Sequence, residues 1–443
     1  MSTNLRDYLK KYSEGLFNSL KSSEDVSLNL HSEDSDFIRF NESKVRQNTS
    51  VSQHELSMVY KSAQRQYTST TSLTLDLEKD LQFALSKLAE IREQLPKTDV
   101  NPKYSEMQNN GVSEVYKKSD RSSTADLIQT IHSTFSDTDM AGLWCSGPIR
   151  QASVNSKGQF HFFENDSFFF DYSLYNGPRA AKGFYAETNW DAKIFDSQAQ
   201  QTKNTLSLLS KPQVKVKPGA YRSYLAPMAV AELMGMFYWR ALSRSQYEQG
   251  FAPLKKLNLK EKLFSKEFSL IENNLLGLDS HFNSIGEKVP DQIPVIENGE
   301  LKNFLISTAT AKEYNLVSNQ AESSEILRSP EIKPGQLDEK NILKTLDQGL
   351  YLSNLHYINW SDPQTARITG MTRFACFWVE KGEIVGPIQD LRFDDTLYNI
   401  WGSSLLGLTK NQQIFTSTST YNRREKGGMK VPGALLSQFN FTL

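Results

Sequence analysis

The chain is poor in the residue types that would make its chemistry easy to name. Only two of its 443 residues are cysteine, Cys145 and Cys376, far apart in sequence. This excludes a disulfide scaffold and points to free thiols in a reducing compartment, with the cytoplasm as the expected location. No apolar run reaches the ~18 residues of a membrane span. The N-terminal MSTNLRDYLKKYSEGLF is charged and amphipathic and lacks the apolar core of a signal peptide. Positive charge is not in excess either. Lys and Arg number 50 against 51 Asp and Glu, a formal net charge of -1. A general polyanion binder would show a basic surplus, so direct nucleic-acid contact is not expected. The sequence contains neither phosphate loop, G-x-x-x-x-G-K-S/T or G-x-G-x-x-G, and no G-x-S-x-G nucleophile elbow.

Apolar residues make up 38% of the chain and charged residues 23%, the balance of a globular protein rather than a disordered one. The length favours two domains. Residues 4–21 carry Leu5, Leu9, Tyr12, Leu16 and Leu20 at helical spacing. Short extended runs follow (VSLNLH, DFIRF, KVRQNTSVSQ, ELSMVYK, RQYTST). Polar clusters such as SEDSD and NESK are read as turns between them, giving an antiparallel meander. Residues 75–95 return to helical period, and Pro96 stops that helix. The stretch 97–124 reads as loop, and a further helix is expected near 124–136. From 140 to 200 aromatic residues alternate with polar ones, the pattern of strands and hairpins packed into a core.

SKPQVKVKPGAY, with its prolines, glycine and lysines, marks a boundary. The expected division is 1–212, an α/β domain with an antiparallel sheet and packed helices, and 213–443, a strand-rich domain. The fold class is α+β. LAPMAVAELMGMFYWRALS is expected to form an apolar helix over 225–243, with Pro227 in its first turn. Glu380-Lys381-Gly382-Glu383 reads as a tight hairpin turn, and FACFWV before it as a covered strand.

Two segments, SDFIRFNESKVRQ (35–47) and TGMTRFACFWVEKGEIVGPIQDLRF (369–393), together resemble the TldD/PmbA family. Asn155, Ser156, Gly158, Pro218, Gly219, the PMAVAEL helix, Gly349, Tyr351 and Leu355 fall in the family's order between them. The resemblance covers most of the chain and implies an N-terminal α/β sheet domain and a C-terminal strand-rich one. TldD-type members are zinc peptidases built on a His-Glu-x-x-x-His helix. Two neutral imidazoles hold the metal, and a carboxylate activates water. The matching segment here is LAPMAVAELMG. It places Ala226 and Ala231 at the histidine positions and Pro227 at the glutamate, and none of the three has a donor atom for zinc. Glu232 lies one residue past the motif. The C-terminal region that carries a cysteine ligand in such enzymes reads TSTSTYNRREKGGMKVPG, without cysteine. The resemblance therefore implies a PmbA-like (TldE-like) member with no metal of its own.

The histidines offer a replacement site only weakly. His54-Glu55 opens like a zinc motif, but Met58 and Val59 occupy the second positions, and the run reads as a strand with an exposed histidine. His132 is placed on a helix surface, His161 among packed aromatics and His281 in a loop. His356, followed by Asp362, is the best alternative ligand pair. Cys376 lies in an apolar strand, where a thiol is inert. Arg39, Lys44, Arg46 and Arg373 are positive groups inside the resembling segments, read as salt-bridge or sheet-edge residues. Arg39, Lys44, Arg373, His356 and Asp362 are also the residues expected to meet a peptide.

By the family analogy the chain is a non-catalytic subunit. It would form half of a chamber with a TldD-type metallopeptidase chain, or with itself as a homodimer, and act on unfolded peptides. Zinc is then expected only in the TldD-type partner, and no membrane or nucleic acid is involved. Two alternatives remain. One is a stand-alone metallopeptidase with a relocated site at His356 or His54. The other is a non-enzymatic protein-binding regulator, in keeping with family names such as modulator of DNA gyrase.

Overall fold

One long strand organises the first half of the chain. The computed structural model describes residues 4–101, 104–120 and 122–442. Helix α1 (Leu5–Phe17) is capped by Asn4, whose side chain accepts from Arg6 N at 3.2 Å. Strands β1 (Asp25–Asn41), β2 (Lys44–Ser62) and β3 (Arg65–Ser72) follow as an antiparallel meander. NESK is a turn as expected, with Glu42 and Ser43 at φ 51 and 57. SEDSD is not a turn. Its alternate side chains bond sideways to β2, Ser32 with His54 at 2.8 Å, Asp34 with Ser52 at 2.6 Å and Asp36 with Ser50 at 2.6 Å. The cluster is thus satisfied within the sheet and does not interrupt β1.

Helix α2 (Leu77–Gln94) begins at the cap Asp76 and passes into a single 3-10 turn at Pro96. Within the stretch expected to be loop lies β4 (Val112–Lys117), paired parallel to residues 160–165 of a later strand; residues 102, 103 and 121 of that stretch lie outside the described residues. Helix α3 (Thr124–Thr134), strands β5 (Asp139–Asn155), β6 (Phe160–Asn176) and β7 (Arg179–Glu187) and helix α4 (Ala192–Leu208) complete this part. The aromatic stretch thus ends in a helix instead of continuing as strands. The sheet order is β3-β2-β1-β5-β6-β4, with β7 also on β6. Its two helix pairs sit on one face. The pair α1/α2 covers Leu28, Leu30, Leu56 and Met58, and α3/α4 covers Ile38, Trp144, Phe170 and Tyr172.

The second sheet begins with β8 (Gly219–Leu225), which leads into α5 (Pro227–Met236). Its other strands are β9 (Leu270–Asn273), β10 (Gln292–Glu297), β11 (Glu300–Leu301), β12 (Pro330–Ile332), β13 (Gly349–Leu352), β14 (Asn354–Asp362), β15 (Arg367–Arg373), β16 (Phe377–Glu380), β17 (Glu383–Pro387), β18 (Arg392–Thr396), β19 (Leu405–Thr416) and β20 (Gly428–Phe441). Helix α5 is shorter than expected. After Met236 the backbone leaves helical geometry at Trp239 and Arg240, the latter at φ 70, and the Trp239 carbonyl accepts from the Trp360 indole at 3.3 Å. The expected turn is present; Gly382 is at φ 76, and Lys381 before it is also left-handed, at φ 52.

The sheets share a core in which Cys145, Phe169 and Phe184 pack with Leu225, Ala229, Val230 and Phe415. Both cysteines are buried and unpaired. Burial pushes the Cys145 thiol up to about 12 and the Cys376 thiol up to about 11. Among the described residues no helix is long and apolar enough to cross a membrane.

The loop joining β19 to β20, residues 417–427, crosses as a strap onto the first sheet. Arg424, 4% exposed, donates to Gly147 O, Ser167 O and Ser167 Oγ, each at 2.9 Å, and sits over the Phe169 ring. Replacing it with methionine keeps the volume but strands these acceptors. Arg424→Met is expected to cost about 3 kcal/mol in urea unfolding and to make the strap the first site of limited proteolysis.

Candidate functional site

Direct pairing places side chains on the same sheet face, so one row can be read across the first sheet. Gln47 faces Arg39, Arg39 faces Leu143, Leu143 faces Asp171 and Asp171 faces Phe184. This row lies on the face turned toward the second sheet and the strap. Above its β2 end is a cleft of about 270 Å³, lined by Phe37, Arg39, Gln47, Thr49, Leu143 and the strap residue Thr420. Arg39 and Gln47, singled out in the N-terminal segment, therefore meet the strap across a shared space.

The other end of the row reaches the start of α5. Asp171 pairs with Lys182. The Lys182 ammonium lies 5.7 Å from the Phe374 ring centroid, and the Arg373 guanidinium lies 5.3 Å from the same ring. Phe374 is held at φ 61, the left-handed region, which is strained for an aromatic residue. A second cleft, about 140 Å³, opens here. Lys182, Gln198, Thr202, Ala226, Asn354 and Gln413 line it, together with Pro227. Ala226 occupies the N-cap of α5 and provides no side-chain cap, and Pro227 supplies no N–H.

Glu232 is the one carboxylate of α5, and it is already engaged. It accepts from Leu355 N and, at 3.4 Å, from Asn354 Nδ2. Burial pushes its carboxyl up to about 7, against the pull of those two donors. Ala231, half-buried, packs on the main core. The residues around the start of α5 do not fit a zinc ion. Ala226, Pro227 and Ala231 offer no donor, and Glu232 is spent on β14. Among the described residues no three His, Cys, Asp or Glu side chains cluster as metal ligands.

The remaining sequence-derived residues disperse. His54 is on a strand, but it is buried rather than exposed, between Ser32 at 2.8 Å and Ser52 at 3.3 Å, and burial holds its ring below the usual imidazole range. His356 and Asp362 share β14 but pair with Met371 and Arg367 respectively, toward opposite ends of the ribbon. The Asp362 carboxylate is consumed as a cap, accepting from Gln364 N and Thr365 Oγ1. Lys44 stands exposed at the β1–β2 turn, away from both clefts. His161 is buried, bonded to Ser113 at 2.7 Å and stacked on Phe282. His132 is exposed on α3. Lys182, Asp171 and Gln198 carried no local sequence signal. The register of β6 and β7 brings Asp171 and Lys182 to α5, and α4 brings Gln198.

Residues 218–443 match the family described as PmbA/TldA metallopeptidase C-terminal domain. No curated protein matches the chain significantly. Three solved structures share the fold over nearly all of both chains. A candidate modulator of a DNA gyrase from Thermotoga maritima has a TM-score of 0.78 at 16% identity, over 98% of this chain and 100% of that one. TldE from Thermococcus kodakarensis has a TM-score of 0.76 at 14% identity, over 99% of each. A candidate modulator of DNA gyrase from Bacteroides thetaiotaomicron has a TM-score of 0.77 at 16% identity, over 100% of each. The chain belongs to the PmbA/TldD family.

Glu232 gives a pH signature. Its folded pKa of about 7 lies above the ordinary 4.5, so the stability it contributes is fully present below about 4.5 and is lost as pH rises through about 7. Glu232→Gln keeps an acceptor for Leu355 N and removes the titration. The melting temperature of the variant relative to the parent is expected to climb between pH 4.5 and 8, as read by scanning calorimetry.

Proposed function

We propose that this PmbA/TldD-family chain is the metal-free subunit of a peptidase assembly that acts on unfolded peptides. The zinc and the water-activating carboxylate would reside on a TldD-type partner. In this reading the chain divides near residue 212, and its two halves together form one wall of the substrate space. The observation that carries the proposal is the start of α5. Where the family resemblance calls for His-Glu-x-x-x-His, Ala226, Pro227 and Ala231 stand on a helix whose only carboxylate is committed to the Leu355 amide.

The chain's contribution is to bind and orient. The face between Gln47 and Lys182 offers Arg39, Asp171 and Lys182, the cleft beside it offers the amide side chains of Gln198, Asn354 and Gln413, and Arg373 shares the Phe374 ring with Lys182. Such a surface suits peptide backbone and terminal groups better than any one side chain, because amides and hydroxyls pair with main-chain groups whatever the sequence. Arg39 and Arg373 are the residues placed to meet a peptide carboxylate. His356 and Asp362 are set aside for this role by their positions. Two buried free thiols suit a reducing, cytoplasmic setting.

The test is the zinc content of the purified chain after mild dialysis, followed by mixing with a chain that carries His-Glu-x-x-x-His. The expected result is near zero zinc per chain, no hydrolysis of an unfolded peptide alone, and hydrolysis on mixing. Stoichiometric zinc in the isolated chain overturns the proposal.

A further inference from the structure

The cleft beneath the strap carries a charge of opposite sign at each end, and neither is neutralised by an ion pair among the described residues. Arg39, at one end, is exposed. Glu33, at the other, is 2% exposed. Its Oε1 accepts from Gln53 Nε2 and from Arg424 N, but its Oε2 is buried and has no hydrogen-bond partner. A buried carboxylate oxygen without a donor is costly, so this end of the cleft favours a group that supplies one.

Both charges stand on one row of the sheet. Along β1, Glu33, Phe37 and Arg39 face Gln53, Thr49 and Gln47 of β2 in an unbroken register. At ~3.3 Å per residue the two ends lie about 20 Å apart, the length of about six extended residues. Between them the lining includes the apolar Phe37, Val51 and Leu143, and the strap closes the space with Thr420, Asn422 and Arg423. Past Glu33 the cleft continues into a recess of about 50 Å³, lined by His31, Glu55 and Lys426 as well as by Glu33. A water-sized group needs only ~10–15 Å³ of such space, so an ammonium fits.

We propose that the cleft holds a short peptide in one polarity, with its free α-ammonium on Glu33 and its carboxyl end toward Arg39. The proposal rests on the peptide-binding reading above and adds the direction of the bound chain and the need for a free amino terminus. An α-ammonium brings three donors and a charge, and Oε2 is an acceptor with no other use. The other charges of the recess are already matched. Arg423 pairs with Glu55 at 2.8 Å and with Glu425 at 3.5 Å, and Lys426 pairs with Asp279. Burial, with Lys426 and Arg423 close by, holds the His31 ring down to about 4, so it is neutral and does not repel a cation. At the far end the Arg39 guanidinium is free to take a carboxylate, whose two oxygens match its planar fork.

Calorimetric titration of the full chain with an unstructured hexapeptide of alanine, serine and tyrosine tests this. Three forms are compared: free at both ends, des-amino at the first residue, and amidated at the last. The des-amino form lacks the ammonium and adds no bulk. On the parent chain, loss of the ammonium is expected to weaken binding about tenfold, and amidation about threefold. Glu33→Gln keeps an acceptor for Gln53 and for Arg424 N and removes the charge. It is expected to bind the free peptide as weakly as the parent binds the des-amino form, and to distinguish the two no longer. Arg39→Met is expected to lose the distinction between carboxylate and amide and to keep the preference for a free amino terminus.

Equal binding of the free and des-amino forms by the parent chain overturns the proposal, and that comparison needs no variant to fold. A Glu33→Gln chain that melts as the parent does and still prefers the free form overturns it as well. In both cases the chain binds peptide, so the peptide-binding reading stands while the polarity fails. Absence of binding by all three forms overturns both. Zinc content and hydrolysis on mixing are indifferent to the end groups of the hexapeptide, so the metal-free reading is decided separately.

Discussion

Strand β1 has to satisfy two different surfaces at once, and most of the molecule follows from how it does so. Seventeen residues run without a break from Asp25 to Asn41. Side chains at even positions point to the helices and those at odd positions to the second sheet and the strap, as strand periodicity requires. The helix face reads apolar, polar, apolar: Val26, Leu28 and Leu30, then Ser32, Asp34 and Asp36, then Ile38 and Phe40. The two apolar ends seat two separate helix pairs. The polar middle bonds to Arg150, His54, Ser50 and Ser52 and leaves a groove between the pairs. On the other face Glu33 accepts from the Arg424 amide of the strap and Phe37 packs against the main core.

This explains which parts of the fold were legible in the sequence. Helical stripes were, because Leu5, Leu9 and Leu16, or Leu88 and Ile91, repeat on a period that needs no knowledge of the partner. The hairpin at Lys381-Gly382 was legible because a glycine between two apolar runs supplies the positive φ of a tight turn, and that requirement is local. SEDSD misled because polar clusters are common in turns. Its partners Ser50, Ser52 and Arg150 are remote in sequence, and only the register of three strands shows that the cluster is satisfied in place. The end of the α5 helix misled for a related reason. The residues from Phe237 to Ala241 have good helical pattern, but Phe237 stacks on Phe268 and the Trp239 carbonyl is taken by Trp360, so tertiary contacts override propensity.

The candidate site was legible in outline and obscure in detail. Arg39, Gln47 and Arg373 came from the resembling segments; Arg39 and Gln47 line the cleft beneath the strap, and Arg373 shares the Phe374 ring with Lys182. Their companions Asp171 and Lys182 stand in aromatic and alanine-rich runs, where nothing marks them. Asp171 opposes Phe184, two residues from Lys182, and the pair matters only because β7 delivers Lys182 to the start of α5 and to the Phe374 ring. Conversely, His356 and Asp362 looked like a pair because the carboxylate follows the histidine closely in sequence. A strand carries residues at that spacing far apart, whereas a helix would have brought them closer.

The strap shows how a loop with the composition of a mobile segment can be fixed. TSTSTYNRREKG has no apolar anchor except an exposed tyrosine, and by composition it should fluctuate. Its three cations instead find acceptors in different layers. Arg423 bonds Glu55 on β2 at 2.8 Å, Arg424 reaches Gly147 and Ser167 beneath, and Lys426 pairs with Asp279, which Arg328 also holds at 2.8 Å. Burial alone would raise the Asp279 carboxyl, but Lys426 and Arg328 hold it well below the usual carboxylate range. Buried ion clusters of this kind add little net stability, and their value lies in fixing one geometry among many. Here the geometry fixed is the distance between the strap and the first sheet, which sets the opening of the cleft beside Arg39. The strap and the first turn of α5 are therefore places where local sequence can change without disturbing either sheet, which is where a scaffold of this kind is expected to keep its functional differences.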